Sequence, residues 1–308
     1  LGTDAFQETD IIGISAPVVK WSYQITKASE IPGAIAKAFY IANSGRPGPV
    51  VIDITKDAQF EELDYEYKPC KFVRSYNPVI DLDAEQIKDA AQTINGAKRP
   101  MLLLGHGVLL GHAQKQVLEL AEKAKIPVAS TWLGASSFPE KHELYYGMVG
   151  MHGNYAPNLQ TNSCDVLIAI GMRFDDRVTG TLDTYAKQAK VVHFELDYAE
   201  ISKNIFAHYP VHGDCAESLD ALLPMIIDCD GRKDWFASWD ILKNKENEIV
   251  IKNDVNPLGD EMRMAEVVRK LSDITEGKAV IVTDVGQHQM ITARYYEFMD
   301  TNTNITSG

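Results

Sequence analysis

Short runs of consecutive apolar residues alternate with amphipathic segments through the middle of the chain. The apolar runs lie at residues 101–104, 126–131, 166–170, 191–196 and 209–211, and the helical patterns at 84–94, 113–124 and 216–227, with a short helix from Ala199. Apolar runs without polar alternation are typical of strands that are buried on both faces. Their alternation with helices predicts an α/β fold built on a central, doubly wound parallel sheet.

The flanking segments carry partial α/β patterns. An amphipathic helix with Ser29 as its N-cap and Pro32 in its first turn extends to Asn43, and a buried strand follows at 50–54. Near the other end, 235–253 is predicted as a charged helix and linker, followed by a helix at 262–274, a strand at 279–283 and a helix to Phe298. The predicted divisions are a partial domain at 1–57, a linker at 58–80, a central domain at 81–230, a linker at 231–257 and the start of a third domain at 258–308.

Composition limits the class of protein. The chain has 308 residues and a formal net charge of −13, which argues against nucleic acid or an anionic membrane as a partner. No apolar run is long enough to cross a bilayer, and no leader pattern is visible. The cysteines are scattered without paired spacing, so we expect a reduced, cytoplasmic protein with no zinc site; they are Cys70, Cys164, Cys215 and Cys229.

The stretch 150–177 concentrates the candidate chemistry. It contains a glycine turn at Gly150 and Gly153, the apolar run 166–170, and then Gly171 with a charged tip. Ligands of parallel sheets gather at the carboxyl ends of the strands, where this tip belongs. Glycines let backbone approach a ligand, and the two arginines of the tip can hold phosphate. The alternative is a strand followed by a solvated charged loop.

Other predicted strand ends carry similar groups. Turn glycines can admit a pyrophosphate, and an acidic side chain can accept hydrogen bonds from ribose hydroxyls. Such groups at several strand ends predict a dinucleotide site, although the G-x-G-x-x-G spacing is absent. The alternative is that Glu195 and Asp214 cap helices. These strand-end groups, or corners, are Gly105-His106-Gly107, Gly171 with Arg173, Glu195, and Gly213-Asp214.

Several single residues leave two interpretations open. His152 is a catalytic base or, as we favour, a packing residue beside the ligand. For His288, beside a glycine at a strand-to-helix turn, we favour ligand contact. Lys56 is either an active-site cation or a surface lysine. Asp175 and Asp176 could chelate a metal ion, but the flanking arginines favour ion pairs.

Five motifs, in order along the whole chain, carry a family resemblance. The chain resembles the large catalytic subunit of acetolactate synthase (acetohydroxyacid synthase), a thiamine-diphosphate enzyme, in its FAD-containing branch. The resemblance covers all 308 residues. The motifs are Gly2-Thr3-Asp4-Ala5-Phe6-Gln7-Glu8, Gly45-Arg46-Pro47-Gly48-Pro49 with Thr55-Lys56-Asp57, Gly150-Met151-His152-Gly153, residues 173–180 and residues 284–289.

The resemblance implies a transferase activity. Thiamine diphosphate would decarboxylate pyruvate and add the product to a second 2-ketoacid in branched-chain amino acid biosynthesis, while the protein supplies position and electrostatics. The flanking segments would belong to the pyrimidine-binding domain (1–57) and the diphosphate-binding domain (258–308), with the FAD-binding domain between them. Asp176 and Arg177 match the edge of a substrate channel.

By motif match, each implied site corresponds to residues of this chain. Active-site positions are Gln7, Lys56 and Phe6. FAD would be held by Arg46 and by the stretches 152–173 and 195–214, which overlap the strand-end groups. The combined candidates for cofactor binding are Arg46, Gly105, His106, Gly107, Thr131, Gly150, Met151, His152, Gly153, Gly171, Met172, Arg173, Asp175, Arg177, Val178, Glu195, Leu196, Gly213 and Asp214. The diphosphate of thiamine would lie against Val285, Gly286, Gln287 and His288.

The resemblance also implies partner subunits, and two sequence motifs of the family are missing from this chain. A homodimer or larger assembly and a small regulatory subunit are implied. The activating glutamate belongs upstream of Leu1 and the magnesium-binding Gly-Asp-Gly…Asn signature downstream of Gly308, so we expect an internal fragment that is inactive alone. The alternatives are a non-catalytic dinucleotide-binding module and a related carboligase, such as glyoxylate carboligase, or a 2-ketoacid oxidase.

Overall fold

The computed structural model describes residues 2, 5–6, 8–259 and 261–306. The chain divides into two compact units, Leu1–Ile80 and Asp81–Gly308. The elements of the first unit are α1 (Ile11–Ser15), β1 (Trp21–Ile25), α2 (Ile31–Asn43), β2 (Val50–Ile54) and α3 (Lys56–Phe60).

In the first unit, the predicted helix and strand are present, and a second strand joins them. β1 pairs with β2 in parallel, with Trp21 opposite Val50. Sequence reasoning missed β1, which has only five residues and mixes polar with apolar side chains. The predicted N-cap at Ser29 is wrong: this residue lies in the 3₁₀ turn Ala28–Glu30, and α2 begins after it with proline in its first turn.

The second unit contains a six-stranded sheet in which every strand pair is parallel, with the order β5-β4-β3-β6-β7-β8. This confirms the predicted fold class. Its elements are α4 (Ala84–Gly96), β3 (Pro100–Leu104), α5 (Gly107–Leu110), α6 (Gln114–Ala124), β4 (Val128–Ser130), β5 (Tyr145–Met148), α7 (Tyr155–Thr161), β6 (Val166–Ile170), α8 (Asp176–Thr179), β7 (Lys190–Glu195), β8 (Tyr209–His212), α9 (Cys215–Leu222), α10 (Lys233–Glu246), α11 (Lys252–Val255), α12 (Met264–Ile274), β9 (Ile281–Thr283), α13 (Gln287–Tyr295) and β10 (Asn304–Thr306).

Both faces of this sheet are covered. Successive side chains of a strand point to opposite faces, so that Leu102 and Leu104 pack against α4, α6 and α9. Met101 and Leu103 belong to the other face, which packs against α7 and α10. Burial on both faces explains why the strands are continuous apolar runs rather than alternating ones.

The segment predicted as a charged helix and linker contributes to this core. α10 buries Trp235 and Trp239, which are 5% and 0% exposed. The two residues are four positions apart and therefore lie on one side of the helix. The Trp235 Nε1 group also donates to the carbonyl of Pro100, at 2.8 Å. Much of the predicted linker is thus a helix that covers the second face of the sheet.

The last segment of the chain packs on the same unit. β9 and β10 form a separate parallel pair, and Tyr296 and Phe298 are buried with Ala135. The four cysteines are free thiols. Among the helices of the described residues, none combines the length and apolar character that a membrane crossing requires.

Candidate functional site

The central sheet has a topological switch point between β3 and β6. From this pair, the chain winds to β4 and β5 on one side and to β7 and β8 on the other. Hydrogen bonding continues past the strand ends here, because Gly105 N donates to the carbonyl of Ile170 and Gly171 N to that of Phe194, both at 2.9 Å. In such sheets the crevice outside the carboxyl ends, at the switch point, is the usual ligand site.

Three predicted glycines meet at this switch point. Gly107 N donates to the carbonyl of Gly171 at 2.9 Å, and a Cβ atom on Gly107 would lie 2.5 Å from the Gly171 Cα. Gly171 also has a φ of +61°, and the space beside Gly105 is filled by the Gly171 carbonyl. The space that a side chain would take at these three positions is occupied by neighbouring atoms, so close packing of the two backbones requires glycine there. These glycines form the backbone of the carboxyl edge of the sheet at the switch point, which we call the rim.

The glycine turn after β5 contacts α8, the short helix that follows β6. Met151 N donates to the carbonyl of Arg177 at 2.9 Å, and a Cβ atom on Gly150, whose φ is +102°, would lie 2.6 Å from that oxygen. Met151 is 62% exposed, and the Arg173 side chain is 61% exposed. The rim therefore presents an apolar side chain and a guanidinium group to solvent.

The acidic candidates serve the local backbone. Asp214 caps α9 by accepting from Ala216 N and Glu217 N, at 2.8 and 3.1 Å. Asp175 caps α8 and also pairs with Arg173 Nε at 3.2 Å. Glu195 accepts from Asp197 N at 3.0 Å. Asp214 thus fits the capping alternative, and Asp175 fits the ion-pair alternative. The described residues include no group of three or more His, Cys, Asp or Glu side chains suited to a metal ion.

The remaining rim residues make backbone or ring contacts. The His152 ring meets the edge of Trp132 at 6.0 Å, in accord with a packing residue. Others take part in the hydrogen bonds of this edge: His106 Nδ1 with the Leu133 carbonyl, Thr131 Oγ1 with Gly134 N, His212 with the Leu196 carbonyl, and Gly213 N with the Glu195 carbonyl. Val178 follows Arg177 within α8. The structure therefore brings the central-domain candidates together along one edge.

The other candidates belong to different elements of the chain. Gly286, with a φ of +150°, precedes the first residue of α13, and Val285, Gln287 and His288 are exposed around it. Arg46, Lys56 and Phe6 belong to the first unit and are exposed, and the Lys56 ammonium lies 5.9 Å from the Phe60 ring centre. Gln7 lies outside the described residues. The binding and catalytic roles of all these residues remain predictions.

His193, beneath the rim, is a buried histidine that the sequence did not single out for function. Its Nε2 lies 2.7 Å from the carbonyl of Met172, while its Nδ1 is buried without a partner. Burial lowers the pKa of His193 below its ordinary value of 6.5. Both features indicate a neutral ring that donates from Nε2 to the loop after β6.

We expect this histidine to make stability depend on pH. Below about pH 6.5 the unfolded chain binds a proton that the folded protein resists, so the free energy of unfolding falls as the pH is lowered through this window. His193→Gln retains an amide donor for the Met172 carbonyl without the titrating ring. Urea unfolding between about pH 5 and 8 should show a flatter profile for this variant. Parallel profiles would contradict the assignment.

Sequence reasoning also missed two other features. A cavity of about 920 Å³ lies at the opposite edge of the sheet, beside the residues that precede β3 and β6, with Arg99, Ser163 and Trp235 in its lining. Glu140 accepts from the Tyr145 hydroxyl at 3.3 Å, and desolvation raises the pKa of Glu140 to about 8. No local pattern marks the cavity, because its lining combines distant segments of the chain.

The sequence of this chain is similar to those of known thiamine pyrophosphate enzymes. Residues 87–222 match the family model described as the central domain of thiamine pyrophosphate enzymes. Over its whole length, the chain is 41% identical to the acetolactate synthase large subunit of Corynebacterium glutamicum and covers 49% of that protein. It is 40% identical to a probable acetolactate synthase large subunit of Methanocaldococcus jannaschii, of which it covers 53%. It is 37% identical to the acetolactate synthase isozyme 3 large subunit of Escherichia coli, of which it covers 54%. The chain spans about half the length of the curated relatives it matches, and the similarity confirms the resemblance drawn from the motifs.

Proposed function

Because this chain belongs to the acetolactate synthase large-subunit family, we propose that it forms part of an enzyme that condenses two pyruvates, or pyruvate and 2-ketobutyrate, with loss of carbon dioxide. The product would enter branched-chain amino acid biosynthesis. The observation that carries this proposal is similarity over the whole chain, including both segments that flank the central domain. A dinucleotide-binding module would explain the central domain alone.

FAD is the ligand that we propose for the rim of the central sheet. Arg173 supplies an exposed guanidinium group, and the turn at 150–153 supplies backbone close to α8, which carries a second arginine, Arg177. A planar guanidinium group suits phosphate oxygens, and Met151 offers apolar surface to a flat ring system. When bound, FAD would supply a pyrophosphate and an isoalloxazine ring to a reaction that is not a redox reaction overall.

Thiamine diphosphate is the second cofactor that we propose, with Mg²⁺ as its counterion. Bound thiamine diphosphate supplies the carbanion chemistry. Here the turn at 285–288 lies at the start of α13, and helix N-termini favour anions through their free backbone N–H groups. Gly286 has a backbone conformation that residues with side chains rarely adopt, which lets the chain turn closely. Gln7, Lys56 and Phe6 are the proposed active-site residues, and Asp176 and Arg177 the proposed channel edge.

The same family context supports three further proposals. The complete enzyme would be a homodimer or larger assembly, would bind a small regulatory subunit, and would act in the cytoplasm on small 2-ketoacids. Assay of the full-length protein with pyruvate tests the activity, with acetolactate and carbon dioxide as the expected products. Reduction of bound flavin by pyruvate at turnover rates would instead favour a 2-ketoacid oxidase.

We expect Arg173→Ala to weaken FAD binding about tenfold, because one charge-assisted hydrogen bond to phosphate is lost. Flavin fluorescence titration of the purified chain measures this. The matched control is Arg99→Ala, which removes an exposed arginine at the opposite edge of the sheet and should leave the affinity unchanged. Equal affinities for the wild type and Arg173→Ala would count against the assigned site.

A further inference from the structure

A partly buried ion pair lies behind the glycine turn at 150–153. Arg294, near the end of α13, pairs with Glu246, the last residue of α10. The Arg294 side chain is 20% exposed and the Glu246 side chain 6% exposed. Charges removed from water to this extent are costly unless they are paired and hydrogen-bonded. The other hydrogen bonds of the two side chains therefore indicate which part of the structure the pair stabilises.

Both members of the pair direct those atoms at the same turn. Arg294 Nη1 donates to the carbonyl of Gly153 at 2.9 Å and, less closely, to that of His152 at 3.4 Å. Glu246 Oε2 accepts from the backbone N–H of Tyr155 at 3.0 Å and from the side-chain amide of Asn154 at 3.4 Å. The pair thus contacts four consecutive residues, 152–155, at the point where the turn passes into α7.

The two glycines of this turn leave its backbone freer than other residues would, so contacts from neighbouring side chains have to hold its conformation. Gly150 and Gly153 each lack a side chain, and glycine loses more backbone freedom on ordering than any other residue. A planar guanidinium group paired with a carboxylate has a fixed geometry. It therefore presents its donors and acceptors to the turn in one arrangement.

We propose that Arg294 and Glu246 are positioning residues that hold the 150–153 turn in the conformation that receives the flavin, an inference that rests on the FAD site proposed above. Neither residue is among those predicted to touch the cofactor. α13 spans nine residues, about 13 Å. It begins at the proposed diphosphate turn and ends at this pair, so the same helix links both proposed cofactor sites.

The test is Arg294→Gln, with Arg269→Gln as the matched control. Arg269 is also partly buried, also pairs with one carboxylate, that of Glu297, and also has a buried Nε without a partner. It lies on α12, and none of its described contacts is with the turn. Loss of an ion pair is therefore common to both variants, whereas loss of support for the turn is specific to Arg294→Gln.

Two measurements on the purified chain decide the outcome. Hydrogen–deuterium exchange at peptides covering 150–156 should accelerate about tenfold or more in Arg294→Gln and remain unchanged in Arg269→Gln. FAD affinity, from fluorescence titration, should fall about tenfold in Arg294→Gln only, and Arg294→Lys, which keeps the charge, should recover part of it.

Equal exchange rates at the turn in the two Gln variants would overturn the positioning role. So would an FAD affinity for Arg294→Gln equal to that of the wild type. If the wild-type chain bound no FAD, the proposed flavin site and its positioning residues would both be overturned. Exchange at the turn would then report only whether the pair holds the turn.

Discussion

Gly171→Ala is expected to destabilise the central domain by about 2–5 kcal/mol. Two costs add at this position. A residue with a side chain pays about 1–2 kcal/mol for the left-handed conformation, since Gly171 has a φ of +61°. Its Cβ atom would also lie 2.5 Å from the Cα of Gly107, which is backbone and cannot rotate away. Urea unfolding followed by circular dichroism measures the change in the free energy of unfolding.

Gly96→Ala is the matched control for this experiment. Gly96 is the last residue of α4, and no atom outside its immediate neighbourhood lies within 4 Å of the position that a Cβ atom would take. Alanine there should be neutral or stabilising by up to about 1 kcal/mol. Unchanged stability in Gly171→Ala would mean that the backbones after β3 and β6 are not in contact, and the described rim would be wrong.

Trp239→Ala is expected to cost about 3–5 kcal/mol of unfolding free energy, the range typical of large aromatic residues removed from a core. Trp239 is fully buried and lies 4.8 Å from the Tyr146 ring and 5.7 Å from the Trp235 ring, measured between ring centres. Truncation leaves a cavity between α10 and the second face of the sheet. Denaturant unfolding at neutral pH measures the loss.

Ile241→Ala, on the same helix, is the control for Trp239→Ala. Ile241 is 66% exposed, and substitutions at exposed positions usually change stability by less than about 0.5 kcal/mol. Comparable small effects for both variants would show that α10 behaves as a linker and does not cover the sheet.

The parallel sheet could be predicted because its signals are local. Residues 166–170 and 191–196 are continuous apolar runs, and burial on both faces requires just this pattern. β5 was missed because Tyr145–Met148 is short and contains a glycine. The prediction of a partial linker over α10 follows from the lysines and acidic residues along it, although its two tryptophans share one side.

The candidate site was only partly predictable. That several corners lie on one edge followed from the rule that parallel strands end together, and the structure agrees. The contact between Gly107 and Gly171 joins residues 64 positions apart, and Arg294 meets His152 across 142 positions. Such contacts depend on the order of strands and the packing of helices, which no single stretch of sequence specifies.

The most direct test of the central claim is a crystal structure of this chain grown with FAD. The account predicts that the pyrophosphate lies against the 150–153 turn and within hydrogen-bonding distance of the Arg173 guanidinium group, at the carboxyl edge of the sheet. FAD bound instead in the cavity beside Arg99 and Trp235, at the opposite edge, would contradict it. So would a rim without FAD at concentrations that saturate the protein in solution.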